Sequence, residues 1–190
     1  MVRLRFKFQN TYKTLKIKIV MVFININDLI ELRKKYKNEI IVYCSGSFDL
    51  FHVGHVLFFE ECKKHGDILV VAVGNDSVIK GLKGNQRPIL NEKMRVKVVD
   101  SLKIVDYTVL DPLPFNKNYG DRIFIHDDMP IIERLKPDKW IINNDSYGIH
   151  VKKEFTKKLG VELIILERTC PKEYDHISTS KIIEKIKALK

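Results

Sequence analysis

Cysteine is scarce in this sequence of 190 residues, which contains three, Cys44, Cys62 and Cys170. An odd number without the close spacing of zinc ligands argues against a disulfide framework and against a structural zinc site. Such usage is typical of a reducing compartment. We therefore expect a cytoplasmic protein.

Long apolar runs are also missing, and no stretch is long enough to span a bilayer. The basic start and the apolar residues 19–24 together resemble a signal peptide. The apolar core is short, however, and no small-residue cleavage site follows it. We therefore expect no membrane partner.

Acidic residues are fewer than basic ones, 24 against 34, which gives a net charge of +10. The lysines are spread along most of the chain, without an arginine-rich block and without the alternation of basic and aromatic residues that stacks bases. We interpret the surplus as a solvated basic surface that partly serves anionic small molecules, and we expect no nucleic-acid partner. A nucleic-acid-binding protein that exploits this charge is an alternative.

The length and the 45% apolar content suit one globular domain, which we place at residues 27–190. Residues 1–26 alternate apolar with basic side chains in part, and we assign them to an N-terminal extension of unknown role, with Met21 as a second candidate start. The predicted strands lie at 40–44, 68–73, 105–110, 140–142 and 161–166. The predicted helices lie at 27–37, 52–65, 92–102, 129–135, 152–159 and 177–186.

This alternation of strands and helices predicts an α/β fold, a doubly wound parallel sheet. The strand at residues 68–73 is almost continuously apolar, as expected for a sheet covered on both faces. Ligands of such folds lie outside the carboxyl ends of the strands.

Residues 45–55, Ser-Gly-Ser-Phe-Asp-Leu-Phe-His-Val-Gly-His, occupy a predicted strand-to-helix junction. Backbone N–H groups at a helix start are unpaired and lie at the positive end of the helix dipole, which favours a phosphate there. His52 and His55, three residues apart, would project to the same side of the first turn, and Gly54 would let an oxygen approach the backbone. The junction therefore predicts an anion site. Asp49 is expected to brace the turn through side-chain to backbone hydrogen bonds.

A second candidate anion site is the sequence Ile-Ser-Thr-Ser at residues 177–180. Hydroxyls and free N–H groups at a helix start would bind phosphate groups. An ordinary N-cap would account for Ser178 alone.

Residues 45–55 resemble the signature of the nucleotidyltransferase (cytidylyltransferase-like) superfamily: a small residue, Gly, any residue, Phe-Asp, two residues, then His-x-Gly-His. The resemblance implies a Rossmann-like nucleotidyltransferase fold and an attack of a substrate phosphate on the α-phosphorus of a nucleoside triphosphate, with release of pyrophosphate. A phosphate nucleophile is already ionised, so the protein needs only to position two anions and stabilise charge.

The resemblance also implies site residues. The catalytic candidates are His52, His55 and Lys83. The nucleotide-binding candidates are Ser45, Gly46, Ser47, Phe48, Gly54, Asp145, Ser178, Thr179 and Ser180. The candidates for binding the substrate or its phosphate are Lys80, Arg87, Arg95 and Arg168. Lys80, Lys83 and Arg87 belong to residues 80–88, which we interpret as a glycine-punctuated basic loop.

Magnesium is expected to arrive with the nucleotide, and no metal ligands are assigned in the chain. Asp127 and Asp128 are interpreted as a solvated acidic loop, with a contact to magnesium as the alternative. The partners implied are a nucleoside triphosphate and a small phosphorylated acceptor, and we also expect a homodimer.

The resemblance defines the phosphorylated acceptor and the nucleotide base, adenine or cytosine, less closely. Residues 75–88 are most similar to the adenylyltransferase domain that acts on a heptose 1-phosphate. Residues 177–180 are more similar to cytidylyltransferases that activate glycerol 3-phosphate, ethanolamine phosphate or choline phosphate. We favour a sugar or polyol phosphate and ATP over CTP; the CTP-dependent enzymes and a catalytically silent nucleotide-binding regulator are the alternatives.

Overall fold

A computed structural model describes residues 23–118, 126, 128–167, 171, 174 and 177–189. Its strands are β1 (Phe23–Ile24), β2 (Ile41–Gly46), β3 (Ile68–Val73), β4 (Tyr107–Leu110), β5 (Lys139–Asn143) and β6 (Glu162–Leu166). Its α-helices are α1 (Leu29–Lys35), α2 (Val53–Lys63), α3 (Asp76–Lys83), α4 (Glu92–Asp100), α5 (Met129–Leu135), α6 (Ile149–Leu159) and α7 (Thr179–Lys187).

The strands form one sheet in the order β1-β4-β3-β2-β5-β6, and every neighbouring pair is parallel. The chain winds outward from β2 to β3 and β4, then returns to the other side of β2 for β5 and β6. The predicted doubly wound parallel sheet is thus confirmed. Since the direction of winding changes between β2 and β5, the crevice above their carboxyl ends is where this fold class binds its ligands.

Two apolar layers cover the sheet, because successive side chains of a strand point to opposite faces. Ile41 and Tyr43 belong to the layer that contains residues of α1 and α5. Val42 and Cys44 belong to the layer that contains residues of α2 and α4. Both faces of β2 are therefore buried, in agreement with its nearly continuous apolar sequence.

Strand β2 pairs over different lengths with its two neighbours. With β3 it pairs over six residues, up to Gly46 and Val73. With β5 it forms two pairs, Val42 with Lys139 and Tyr43 with Trp140. The carboxyl ends of β2 and β5 therefore diverge. The space between them becomes the cavity described below.

The interpretation of residues 80–88 as a loop was wrong for residues 80–83. These residues are the end of α3: Asn75 caps this helix by accepting from the Val78 N–H at 3.0 Å, and Gly84 ends it at a φ of 92°. The glycine and lysines of this stretch concealed the helical period. Near the N-terminus, Asn25 caps a 3-10 turn at Ile26–Asp28, and Asp28 is in turn the N-cap of α1, without a side-chain capping hydrogen bond.

The sheet also begins earlier than the domain boundary placed at residue 27. β1 pairs with β4 through Phe23 with Thr108 and Ile24 with Val109. Residues 23–24 therefore form one edge of the sheet. The remaining residues of the proposed extension, 1–22, lie outside the described residues.

We expect Leu135→Ala to lower the free energy of unfolding by about 2–5 kcal/mol, because it empties space in a core where this side chain is fully buried. Leu159→Ala is the matched control: its side chain is 42% exposed, and its cost should stay below about 1 kcal/mol. Urea unfolding measures both. Equal costs would contradict the assignment of Leu135 to the core.

Candidate active site

The turn after β2 is held in an unusual backbone conformation. Phe48 and Leu50 have φ values of 48° and 46°, a left-handed region that L-residues rarely occupy. At Gly46, a Cβ would lie 2.9 Å from the Phe48 ring, so glycine lets this ring fold back over the strand end. Phe48 then packs edge-on against His55, with ring centres 5.4 Å apart. The turn thus orients the second histidine.

Asp49 fixes this turn, as the sequence predicted. Its buried carboxylate accepts hydrogen bonds from the backbone N–H groups of Ile89 and Leu90, at 2.9 and 3.0 Å, and from Arg87 Nε at 3.0 Å. Burial alone would raise the pKa of Asp49, but these donors favour the anion more strongly, and the pKa lies below its usual value. The carboxylate is therefore ionised over the neutral pH range.

The two histidines lie at the start of α2. His52 is its N-cap, and the rings of His52 and His55 stack with centroids 3.8 Å apart. The backbone N–H of His52 donates a hydrogen bond to His55 Nδ1 at 3.4 Å. A Cβ at Gly54 would lie 3.1 Å from the His52 ring and 3.6 Å from the Ile177 carbonyl oxygen. The histidine turn and the start of the Ser-Thr-Ser sequence are consequently close neighbours.

The Ser-Thr-Ser sequence is tied to the same turn from the other side. Ser178 caps α7 by accepting from the Lys181 N–H at 3.2 Å, and Thr179 Oγ1 donates to the Asp49 carbonyl oxygen at 2.7 Å. The start of α7 therefore lies beside the turn that carries the histidines. This contact joins residues 130 positions apart in the chain.

Lys83, the last residue of α3, donates to Ser47 Oγ at 2.8 Å. The helix end thus brings its ammonium to the turn after β2, although its side chain also remains exposed. Arg87 also reaches this region through Asp49.

A cavity of about 780 Å³ lies between these elements, a size suited to a small-molecule ligand. The sequence-predicted residues that line it are Ser45, Gly46, Ser47, Phe48, His52, Gly54, His55, Lys83, Arg87, Asp145, Ser178, Thr179 and Ser180. The structure thus brings together segments that follow β2, α3, β5 and β6.

Three predicted residues are not in this set. Lys80 is exposed on α3 and does not line the cavity. Arg95 is fully buried: its guanidinium donates to the Leu90 and Ser47 carbonyl oxygens at 2.9 and 2.6 Å and pairs with Asp76 at 2.8 Å. It supports the turn from behind instead of facing a ligand. Arg168 lies outside the described residues.

Sequence reasoning missed five charged residues that line the cavity: Glu61, Asp111, Asp128, Lys152 and Glu167. The prediction that Asp128 belongs to a solvated acidic loop was wrong, since it is 8% exposed and accepts a hydrogen bond from Tyr43. Asp127 lies outside the described residues. Lys152 is 6% exposed, yet the sequence of α6 shows several lysines and nothing that separates this one from the rest.

Two further findings concern the part of the chain that the structure describes. No helix there is long and apolar enough to cross a membrane. No group of three or more histidine, cysteine, aspartate or glutamate side chains in that part could hold a metal ion.

Comparison with known proteins identifies relatives of this site. Residues 43–185 match the family model described as Cytidylyltransferase-like. Over 150 residues, the chain is 38% identical to the bifunctional protein HldE of Helicobacter pylori (strain P12), covering 77% of this chain and 28% of that protein. The HldE protein of Alcanivorax borkumensis is 35% identical over 153 residues, covering 80% of this chain and 28% of that protein. The chain therefore spans under a third of these relatives.

Solved structures show the same fold. The lipopolysaccharide core biosynthesis protein from Thermoplasma volcanium GSS1 is 29% identical, with a TM-score of 0.54 over 73% of this chain and all of that one. Pantoate-beta-alanine ligase from Francisella tularensis has a TM-score of 0.59 over 86% of this chain and 75% of that one. At 14% identity, the second likeness concerns the fold alone.

We expect Asp49→Asn to destabilise the protein by about 2 kcal/mol or more at pH 7, because a buried carboxylate with charge-assisted bonds is replaced by a neutral amide. Asp100→Asn, on the partly exposed end of α4, is the control and should change little. Urea unfolding at pH 7 compares the two.

The same carboxylate predicts a pH dependence. Since the pKa of Asp49 is lower in the folded than in the unfolded state, its contribution to stability is present above the ordinary aspartate pKa of about 4 and is lost as the pH falls through the folded value. Wild type and Asp49→Asn should therefore converge in stability below about pH 4. A constant difference down to pH 2 would contradict this role.

Proposed function

The chain belongs to the cytidylyltransferase-like family, and from this premise we propose that it is a nucleotidyltransferase that transfers a nucleoside monophosphate to the phosphate of a sugar or polyol. In this reaction, an acceptor phosphate oxygen attacks the α-phosphorus of the triphosphate. The bond to the bridging oxygen breaks, and pyrophosphate leaves with the electron pair. No oxidant or covalent intermediate is required.

The observation that carries the proposal is the meeting of two helix starts at one cavity. The first turn of α2 supplies His52 and His55, and the start of α7 supplies three hydroxyl side chains, Ser178, Thr179 and Ser180. Two positive helix ends are suited to a ligand with several phosphates in a row. The histidines would face the α-phosphate, and the hydroxyls of Ser178 and Ser180 the β- and γ-phosphates, while the Thr179 hydroxyl holds the Asp49 carbonyl oxygen.

Transition-state stabilisation would come mainly from His52, His55 and Lys83. Attack places additional negative charge on the α-phosphate oxygens, and preorganised donors stabilise it without reorganising. Lys83 is the last residue of α3, and its hydrogen bond to Ser47 holds its ammonium at the turn after β2. Arg87 is placed to help bind phosphate, while buried Arg95 would act through the position of Ser47.

Magnesium would accompany the triphosphate. The cavity offers hard oxygen donors, the hydroxyls of α7 and the exposed carboxylate of Asp145, which are of the type that Mg²⁺ prefers. When bound, the ion would neutralise phosphate charge. Asp145 follows β5 and would also be placed to contact the nucleotide.

The acceptor we favour is a heptose 1-phosphate or a similar sugar or polyol phosphate, with ATP as the donor. This choice is supported by the resemblance of residues 75–88 and by the likeness to the lipopolysaccharide core biosynthesis protein of Thermoplasma volcanium. A cytidylyltransferase for glycerol 3-phosphate or ethanolamine phosphate is the second candidate, favoured by residues 177–180.

A pyrophosphate-release screen decides among these. It crosses ATP and CTP with heptose 1-phosphate, glycerol 3-phosphate, phosphoethanolamine and phosphocholine, and we expect the highest kcat/KM with ATP and a sugar phosphate. Nucleotide binding without turnover on any pair would favour a silent regulator. Binding to DNA that falls steeply with salt, and that no nucleotide displaces, would favour a nucleic-acid-binding protein.

We expect His55→Ala to lower kcat by about two orders of magnitude or more while the Kd for nucleotide changes little, because its donor acts mainly in the transition state. His65→Ala is the control, since His65 follows the same helix but does not line the cavity. Single-turnover kinetics and nucleotide titration separate the two effects. Unchanged turnover would remove this histidine from the mechanism.

A further inference from the structure

The floor of the cavity carries a polar cluster beside the residues proposed to bind phosphate. We call Tyr43, Ser45, Asp128, Ser146 and Lys152 the floor cluster. Lys152 Nζ donates to Ser146 Oγ at 2.8 Å, and Asp128 accepts a hydrogen bond from Tyr43. Ser45 lies close enough to Asp128 to lower the pKa of its carboxyl. The cluster lies where β2 and β5 diverge, and Ser45, Asp128, Ser146 and Lys152 line the cavity.

Lys152 and Asp128 are unusual because both are ionisable and nearly buried, at 6% and 8% exposure. Charged side chains are rarely buried unless they are paired. Burial lowers the pKa of Lys152 and raises the pKa of Asp128, while the attraction between the two opposes both shifts. Each group therefore stabilises the charge of the other.

The ammonium of Lys152 keeps hydrogen-bonding capacity on the cavity side. An ammonium has three N–H donors, and among the described residues its hydrogen-bond acceptor is Ser146, while the Trp140 ring lies 5.5 Å away. An aromatic face attracts a cation without accepting a conventional hydrogen bond. A ligand in the cavity could thus receive the remaining donors.

We propose that the floor cluster binds the hydroxyl-bearing part of the acceptor, and that Lys152 makes the site select polyhydroxylated acceptors over cationic ones. This inference rests on the proposed function. A hydroxyl both donates and accepts, so it can bridge a carboxylate and an ammonium that face the same space. A cationic head such as that of ethanolamine or choline would meet like charge at Lys152, and its approach would be disfavoured.

The position of the floor cluster fits this role. Ser45 directly precedes Gly46 and Ser47, and Ser47 receives the hydrogen bond of Lys83. An acceptor whose phosphate is held near Lys83 and the histidines would therefore have its remaining atoms beside the floor. Ser146 and Lys152 then approach it from the side of β5 and α6.

The test compares Lys152→Met with Lys153→Met in the full chain. Both variants remove one ammonium from α6, but Lys153 is exposed and outside the cavity lining. For Lys152→Met we expect the KM for heptose 1-phosphate or glycerol 3-phosphate to rise about tenfold or more, with the KM for ATP changed less than about threefold. Lys153→Met should match wild type in both.

Selectivity provides a second readout that a merely structural lysine would not change. The ratio of kcat/KM for phosphoethanolamine to that for glycerol 3-phosphate should increase about tenfold or more in Lys152→Met, since the repelling charge is gone. An unchanged ratio, or equal losses for ATP and for the acceptor, would overturn the inference. A wild-type protein without turnover on any pair would instead overturn the proposed function.

Urea unfolding shows whether Lys152→Met folds. If it does not, Ser146→Ala is the second variant that tests the inference. This variant removes the hydroxyl that positions the ammonium but leaves both charges in place. We expect a smaller increase in the acceptor KM, about threefold, at an unchanged KM for ATP. No change in the acceptor KM of a folded Ser146→Ala protein would count against the floor cluster as an acceptor site.

Discussion

The buried carboxylate of Asp49 is the constraint on which the candidate site depends. Its side chain holds residues 87–90, and its backbone carbonyl holds Thr179 at the start of α7. The residues on either side of it, Phe48 and Leu50, have positive φ values, each of which costs roughly 1–3 kcal/mol. Such a turn persists because the ionised carboxylate has donors fixed on every side. Without it, the histidine turn and the hydroxyls of α7 would have no common support.

The basic residues around this turn have divided roles. Lys83 lines the cavity at the end of α3, which Gly84 terminates. The guanidinium of Arg95 instead donates to the carbonyl oxygens of Ser47 and Leu90 and to the carboxylate of Asp76. Lys152 has a third role: it is buried in the floor cluster, where the charge of Asp128 balances its own. One surface of the cavity thus presents basic side chains, while another combines a donor and an acceptor. This separation gives a single cavity two chemically different ends.

The sequence predicted the parts that depend on local pattern. The bounds of β3 and α5 match the prediction at both ends, because the periodicity that predicts an element acts over a few positions. A structural role for Asp49 was predicted, but its partners at residues 87–90 were not, because they lie about 40 positions away in the sequence. Lys152 and Asp128 were not found, since burial of a charge depends on segments that are distant in sequence. Arg95 shows the same limit. Its positive charge suggested a contact with phosphate, but its complete burial depends on how α4 packs against the turn.

The contact between Thr179 and Asp49 has a consequence for biosynthesis. The two residues are 130 positions apart, so the ribosome makes the histidine turn long before the wall formed by α7, whereas the last strand, β6, ends shortly before that wall. A chain that has not yet reached α7 can pair its apolar strands, but the cavity beside the histidine turn stays open on one side. A chain terminated between β6 and α7 would therefore lack this wall even with its sheet assembled.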